Sequence, residues 1–127
     1  MNAACAYRNV HRASLVESKT PHELTLMLFD GALSRIETAR ELDPDVDGGT
    51  RHRAIERALA IVHELQGVLR DPGRDPLARD LFALYGHIIE RLLEADRSGE
   101  VGPLEAAGEL LDTLRDGWAG IAPSAPH

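Results

Sequence analysis

The chain has one cysteine in 127 residues, Cys5, so it has no internal disulfide, and a secreted disulfide scaffold is excluded. Aromatic residues make up 4% of the chain while apolar residues make up 43%, so the core must be built from Leu, Ile, Val and Ala. There is no excess of positive charge. Fourteen Lys and Arg stand against 21 Asp and Glu, a net charge of −7, which argues against nucleic acid as a partner, because a phosphate-reading surface needs a basic stripe. No apolar run approaches the roughly 20 residues of a membrane-spanning helix, and Met1–Arg12 lacks the continuous apolar stretch of a signal peptide. No segment alternates with period two, so strands are not expected. The expectation is an acidic single domain, cytoplasmic and without membrane insertion.

What is present is helical punctuation. Thr20-Pro21-His22-Glu23 reads as an N-cap, a proline at the first helical position and a glutamate three residues after the cap. The pattern runs to about Leu42 and stops before the Asp43–Gly49 loop. A second helix is expected from about Thr50 to Arg70, and a third from the Asp75-Pro76 cap to about Arg97. A fourth opens at Gly102-Pro103 and fades at Ile121. Short connections favour antiparallel neighbours, so the expected fold is all-α, an antiparallel four-helix bundle over residues 20–121. Residues 1–19 precede it and residues 122–127 form a tail.

Apolar residues fall at three-four spacing on all four helices, and on three of them a second line lies beside the first. The second lines are Leu24, Leu28, Gly31 and Ala32, then Ala54, Ile61 and Val68, then Ala78, Phe82, Tyr85, Ile89 and Leu92. They fit either a wide core stripe or an outer apolar groove covered by a partner or by the chain's own end. Gly31-Ala32 favours the groove, since small side chains admit a close neighbour.

Other motifs fail on chemistry. Asp43-Pro44-Asp45-Val46-Asp47-Gly48 begins like a calcium loop, but its twelfth position is Ala54, where a bidentate carboxylate belongs. A di-iron site needs Glu three residues before His, and His63 and His87 have Ala60 and Leu84 there. His63-Glu64 begins a zinc-protease motif that ends on Gly67 in place of histidine. Neither metal nor cofactor is expected, and no catalytic residues are assigned. Arg51, Arg53 and Arg57, around Glu56, read as a solvated face.

Glu23–Leu33, the run ELTLMLFDGAL, resembles the first-helix signature of the FliS family of flagellar secretion chaperones. Upstream, Ala6–Val10 is similar to that family's N-terminal Tyr-containing segment; downstream, Leu84-Tyr85 with Arg91–Ala95 resembles its third helix and Leu110–Trp118 its fourth, all in the right order, so the resemblance spans roughly Tyr7 to Ile121. It implies a cytoplasmic helical chaperone, not an enzyme. Such a protein binds the C-terminal segment of flagellin, prevents premature polymerisation and presents it to the flagellar type III export apparatus. The cargo-binding residues it implies, set on the second apolar lines, are Leu28, Gly31, Ala32, Ile61, Val68, Phe82, Tyr85 and Ile89. It also implies that the N-terminal segment folds back as a plug through Tyr7, Asn9 and Val10. Phe29 stands where the family more often has Tyr, which removes a hydroxyl that could meet cargo. The second function class is a regulatory adaptor of the same fold, binding another flagellar assembly or regulatory protein.

Overall fold

The computed structural model describes residues 19–69 and 73–121. Four helices follow one another: α1 over Pro21–Arg40, α2 over Gly48–Gly67, α3 over Pro76–Ser98 and α4 over Gly102–Ala119. Each packs against its chain neighbours, and α4 returns to α1, which closes an antiparallel ring.

Two starts follow from their caps. The Thr20 hydroxyl accepts the Glu23 N–H at 3.1 Å and donates to the Glu23 carboxylate at 3.2 Å. The Asp75 carboxylate accepts the Leu77 and Ala78 N–H groups at 3.0 and 3.4 Å, and Pro76 supplies the fixed φ of the first turn. α3 ends on Gly99 at φ 76°, a left-handed cap that carries no Cβ penalty. Its position also receives Pro44 from the α1–α2 loop, 3.5 Å from where a Cβ would stand. Gly86 does not interrupt α3.

α2 starts two residues before the sequence suggests and ends at Gly67 rather than Arg70. The loop winds tightly into it, with the Asp47 N–H donating to the Asp43 carbonyl at 2.7 Å. The Asp43 carboxylate accepts the Asp45 N–H at 2.8 Å, so this acid is occupied by its own turn. Gly48 and Gly49 therefore form the first helical turn.

The interior is aliphatic. Ile36, Ile55, Val62, Ile88, Leu92, Leu104 and Leu111 fill it, with Phe29 as a central ring. Ala32, Ala39, Ala58, Ala95 and Ala107 are fully buried. At one end of the ring His22 and Trp118 clamp α1 to α4. The Trp118 indole donates to the His22 carbonyl at 3.0 Å, His22 Nε2 donates to the Trp118 carbonyl at 2.8 Å, and the rings stack at 5.3 Å. Leu77 and Ile121 lie beyond the packed layers and are exposed.

At the opposite end the reading of Arg51 as solvated is corrected. Arg51 is 4% exposed, and its guanidinium donates to the Ala95 and Glu100 carbonyls at 3.0 Å each. Those carbonyls belong to the end of α3 and the α3–α4 connection, where the negative dipole pole suits a cation; the Ala95 carbonyl also accepts the Gly99 N–H at 3.0 Å. Close by on the surface, His52 straps α2 to α3. Its Nδ1 lies 2.8 Å from the Asp96 carboxylate and its Nε2 3.0 Å from Glu56. Both ring nitrogens face carboxylates, so the imidazolium is the form that fits. Asp96, through hydrogen bond and charge, raises the His52 pKa above its ordinary value, and Glu56 adds to the rise.

Removing the buried guanidinium leaves the Glu100 carbonyl without this donor and the Ala95 carbonyl with the Gly99 N–H alone, and empties a buried site beside the end of α3. Arg51→Ala is expected to lower unfolding stability by about 2–4 kcal/mol, read by urea denaturation. Arg53→Ala, on an exposed side chain, should stay within about 0.5 kcal/mol. For His52 the sign follows from its raised pKa. The strap's contribution is complete below the ordinary histidine value and is lost as pH rises through the raised one. The urea-midpoint gap between the parent chain and His52→Gln should therefore be larger at pH 5.5 than at pH 8.5. A gap independent of pH would show that the strap carries no charge.

Candidate functional site

At 100° per residue, Leu24, Leu28 and Gly31 form one outward stripe on α1, and Ile61 of α2 with Val68, its C-cap residue, forms the counterpart. The helices run antiparallel, and Gly31 lies opposite Ile61. A Cβ added to Gly31 would stand 3.4 Å from Ile61 Cδ1, so Ile61 packs directly over the bare glycine in this seam between α1 and α2. A second seam lies on the other flank of α2, where Phe82, Gly86, Ile89 and Leu93 line up on α3. Here Gln66 of α2 reaches across Gly86, and its amide donates to the Phe82 carbonyl at 3.1 Å. His63, on the same side of α2, donates from Nδ1 to the Leu59 carbonyl at 2.9 Å. α2 is thus the common wall of two seams that are apolar along most of their length.

The sequence-predicted residues divide by depth. Val68 is 82% exposed, and Leu28, Gly31, Ile61 and Phe82 are half-buried. Tyr85 and Ile89 are buried, and Ala32 has no exposed surface. Burial raises the Tyr85 phenol above its ordinary pKa, so it remains neutral. These deeper residues form the floor beneath the seams. The Phe29 ring is 2% exposed inside the core, so this position does not present a hydroxyl site to the surface. Tyr7, Asn9 and Val10 lie outside the described residues. Two seam residues escaped the sequence reading, Met27 and Leu93, about half-exposed at 52% and 47%. The signal was available in their spacing: Met27 is four residues before Gly31, and Leu93 is four after Ile89.

The α1–α4 face differs in kind. A cavity of about 520 Å³ opens there, over Leu33, Ile36 and Gly108, with Asp30, Glu37, Glu105, Glu109 and Asp112 around it. None of the sequence-predicted residues lines it. Arg115 pairs with Asp30 at 2.9 Å, and that contact holds its guanidinium above the ordinary pKa. Among the described residues no group of three or more His, Cys, Asp or Glu is placed to hold a metal ion, and no helix is long and apolar enough to cross a membrane. The α2 seams offer apolar area with few polar groups, which is chemistry suited to the apolar face of a helix.

Comparison with known proteins agrees in extent. The family model described as Flagellar protein FliS matches residues 2–125. The flagellar secretion chaperone FliS of Salmonella typhimurium is 33% identical over 121 residues, covering 94% of this chain and 90% of its own. The flagellar secretion chaperone FliSB of Pseudomonas aeruginosa is 30% identical over 122 residues, covering 96% and 97%. The FliS chaperone of Bacillus subtilis is 28% identical over 108 residues, covering 85% and 80%.

Proposed function

The chain belongs to the flagellar protein FliS family, and we propose that it is the chaperone of flagellin export in its cell. In this reading it holds the C-terminal segment of flagellin in the cytoplasm, keeps subunits from polymerising and hands them to the flagellar type III export apparatus. The observation that carries the reading is the pair of apolar seams flanking α2, where Val68, Met27 and Leu93 stay exposed after the bundle has packed. A monomeric domain gains nothing from such a line of large apolar side chains, whereas an amphipathic partner helix buries it. Leu28, Gly31, Ile61, Val68 and Phe82 contact the cargo directly, and Ala32, Tyr85 and Ile89 set the floor beneath it. The cargo segment folds as it binds, so ordering offsets part of the burial gain. When cargo is absent, the segment bearing Tyr7, Asn9 and Val10 covers the same surface as a tethered plug. The role is binding, not enzymatic.

Calorimetry with a flagellin C-terminal peptide is expected to show one-to-one binding, with helical circular dichroism above the sum of the parts. Val68→Asp and Leu93→Asp should each weaken binding about tenfold, one charge on each seam. Their unfolding midpoints should barely move, because both side chains are already substantially exposed. Glu109→Lys, on the α1–α4 face, should bind like the parent chain. Binding lost with Glu109→Lys and kept with the two seam variants would move the site to the other face. A peptide that gives no heat and no added ellipticity would favour the adaptor reading, with another flagellar protein as ligand.

A further inference from the structure

The α1–α2 seam changes character along its length, and the change is electrostatic. From the Gly31–Ile61 level, one turn toward the α1–α2 loop brings Arg35 on α1 and Arg57 on α2. The helices are antiparallel and Gly31 lies against Ile61, so these two cations stand at the same level, one on each helix. Both are exposed, and neither makes an ion pair among the described residues. Positions three and four away from Arg35 hold Gly31, Ala32, Thr38 and Ala39. Those around Arg57 hold Arg53, Ala54, Ala60 and Ile61. No carboxylate occupies any of them, although acids outnumber bases 21 to 14 in the chain. Arg53 adds a third cation one turn further along, its guanidinium spent on the Thr50 hydroxyl at 3.2 Å. Like charges at i, i+4 and across a helix pair are unfavourable. By contrast Arg40, Arg91 and Arg115 each hold a carboxylate.

An apolar stripe that ends in two unpaired arginines is complementary to a helix that ends in a carboxylate. The distance fits a helix of this kind: the eleven helical steps from Leu24 to Arg35 span about 16 Å, three turns. Resting on the flagellin reading above, we propose that Arg35 and Arg57 receive the terminal α-carboxylate of the cargo, whose last helix lies in the α1–α2 seam parallel to α1. Its apolar face covers Leu24, Leu28, Gly31, Ile61 and Val68. Its C-terminal end then meets the two guanidinium groups, which answer both the free carboxylate and the negative pole of the helix dipole. The seam therefore reads where the cargo chain stops as well as its apolar pattern, and it fixes which way the helix points.

The test uses the full chain and two synthetic peptides covering the last 20 residues of the cell's own flagellin, one with a free C-terminal acid and one amidated. The free acid is expected to bind about fivefold tighter than the amide, and the advantage should shrink as salt is raised. In the double variant Arg35→Gln/Arg57→Gln the two peptides should bind equally well. That variant should fold at least as stably as the parent chain, since it removes a repulsion. Equal affinity of acid and amide for the parent chain overturns the inference while leaving the flagellin reading intact. A loss of affinity in the double variant that is the same for both peptides also overturns it, and points to side-chain carboxylates of the cargo. No binding of the free acid removes the flagellin reading, and the inference with it.

Discussion

A single buried cation sets the frame. Arg51 leaves the first turn of α2 and donates to the last carbonyls of α3 and to the connection that begins α4, so three elements meet on one guanidinium. A charge is costly inside a protein unless every donor finds an acceptor, which makes this contact intolerant of slippage. Helices behave as rods over this length, so pinning one end fixes the register at the other. Fifteen residues further along α2, about 22 Å away, Gln66 arrives opposite Phe82 and Gly86. The α2–α3 seam inherits its alignment from a residue that never touches it.

The scarcity of aromatic residues has a second effect. A core with few large rings must be filled by bringing helices together, and the buried alanines allow this. Gly31 and Gly86 carry the same economy to the outer edges of α2, where the missing side chains let neighbours sit close without covering one another. Close packing inside leaves shallow seams outside, edged by long aliphatic residues. Such a surface suits an extended helical ligand better than a compact one, because contact accumulates along the seam instead of within a pocket.

The helices and their order were legible because their signals are local. Thr20 and Asp75 announce α1 and α3 through side chains that cap the next turn. Asp47 makes no side-chain cap bond, and α2 starts two residues before the sequence suggests; Val101 makes none either, but Pro103 in the first turn still marks the start of α4. Arg51 was misread for a deeper reason: its acceptors lie 44 and 49 residues away, and nothing beside it in the chain reveals them. The seam residues show the same limit. Leu28 and Ala32, or Phe82 and Ile89, lie one or two turns apart on the same line, and which is rim and which is floor depends on where the neighbouring helix crosses. Periodicity gives the face, and tertiary packing gives the depth. The acidic α1–α4 cavity could not be foreseen, since its lining is split between two helices at opposite ends of the sequence.

The clamp between His22 and Trp118 bears on how the bundle forms. The two residues are 96 positions apart, the longest span of any side-chain hydrogen bond among the described residues. The pairs α1–α2, α2–α3 and α3–α4 can each zip from a short connection at little entropic cost. The α1–α4 contact must wait until those have brought its partners together. Trp118 is the one tryptophan in the chain, and it sits on this late contact. Its fluorescence will therefore follow ring closure, while far-ultraviolet ellipticity follows the helices, and the delay between the two signals measures how long the bundle stands open.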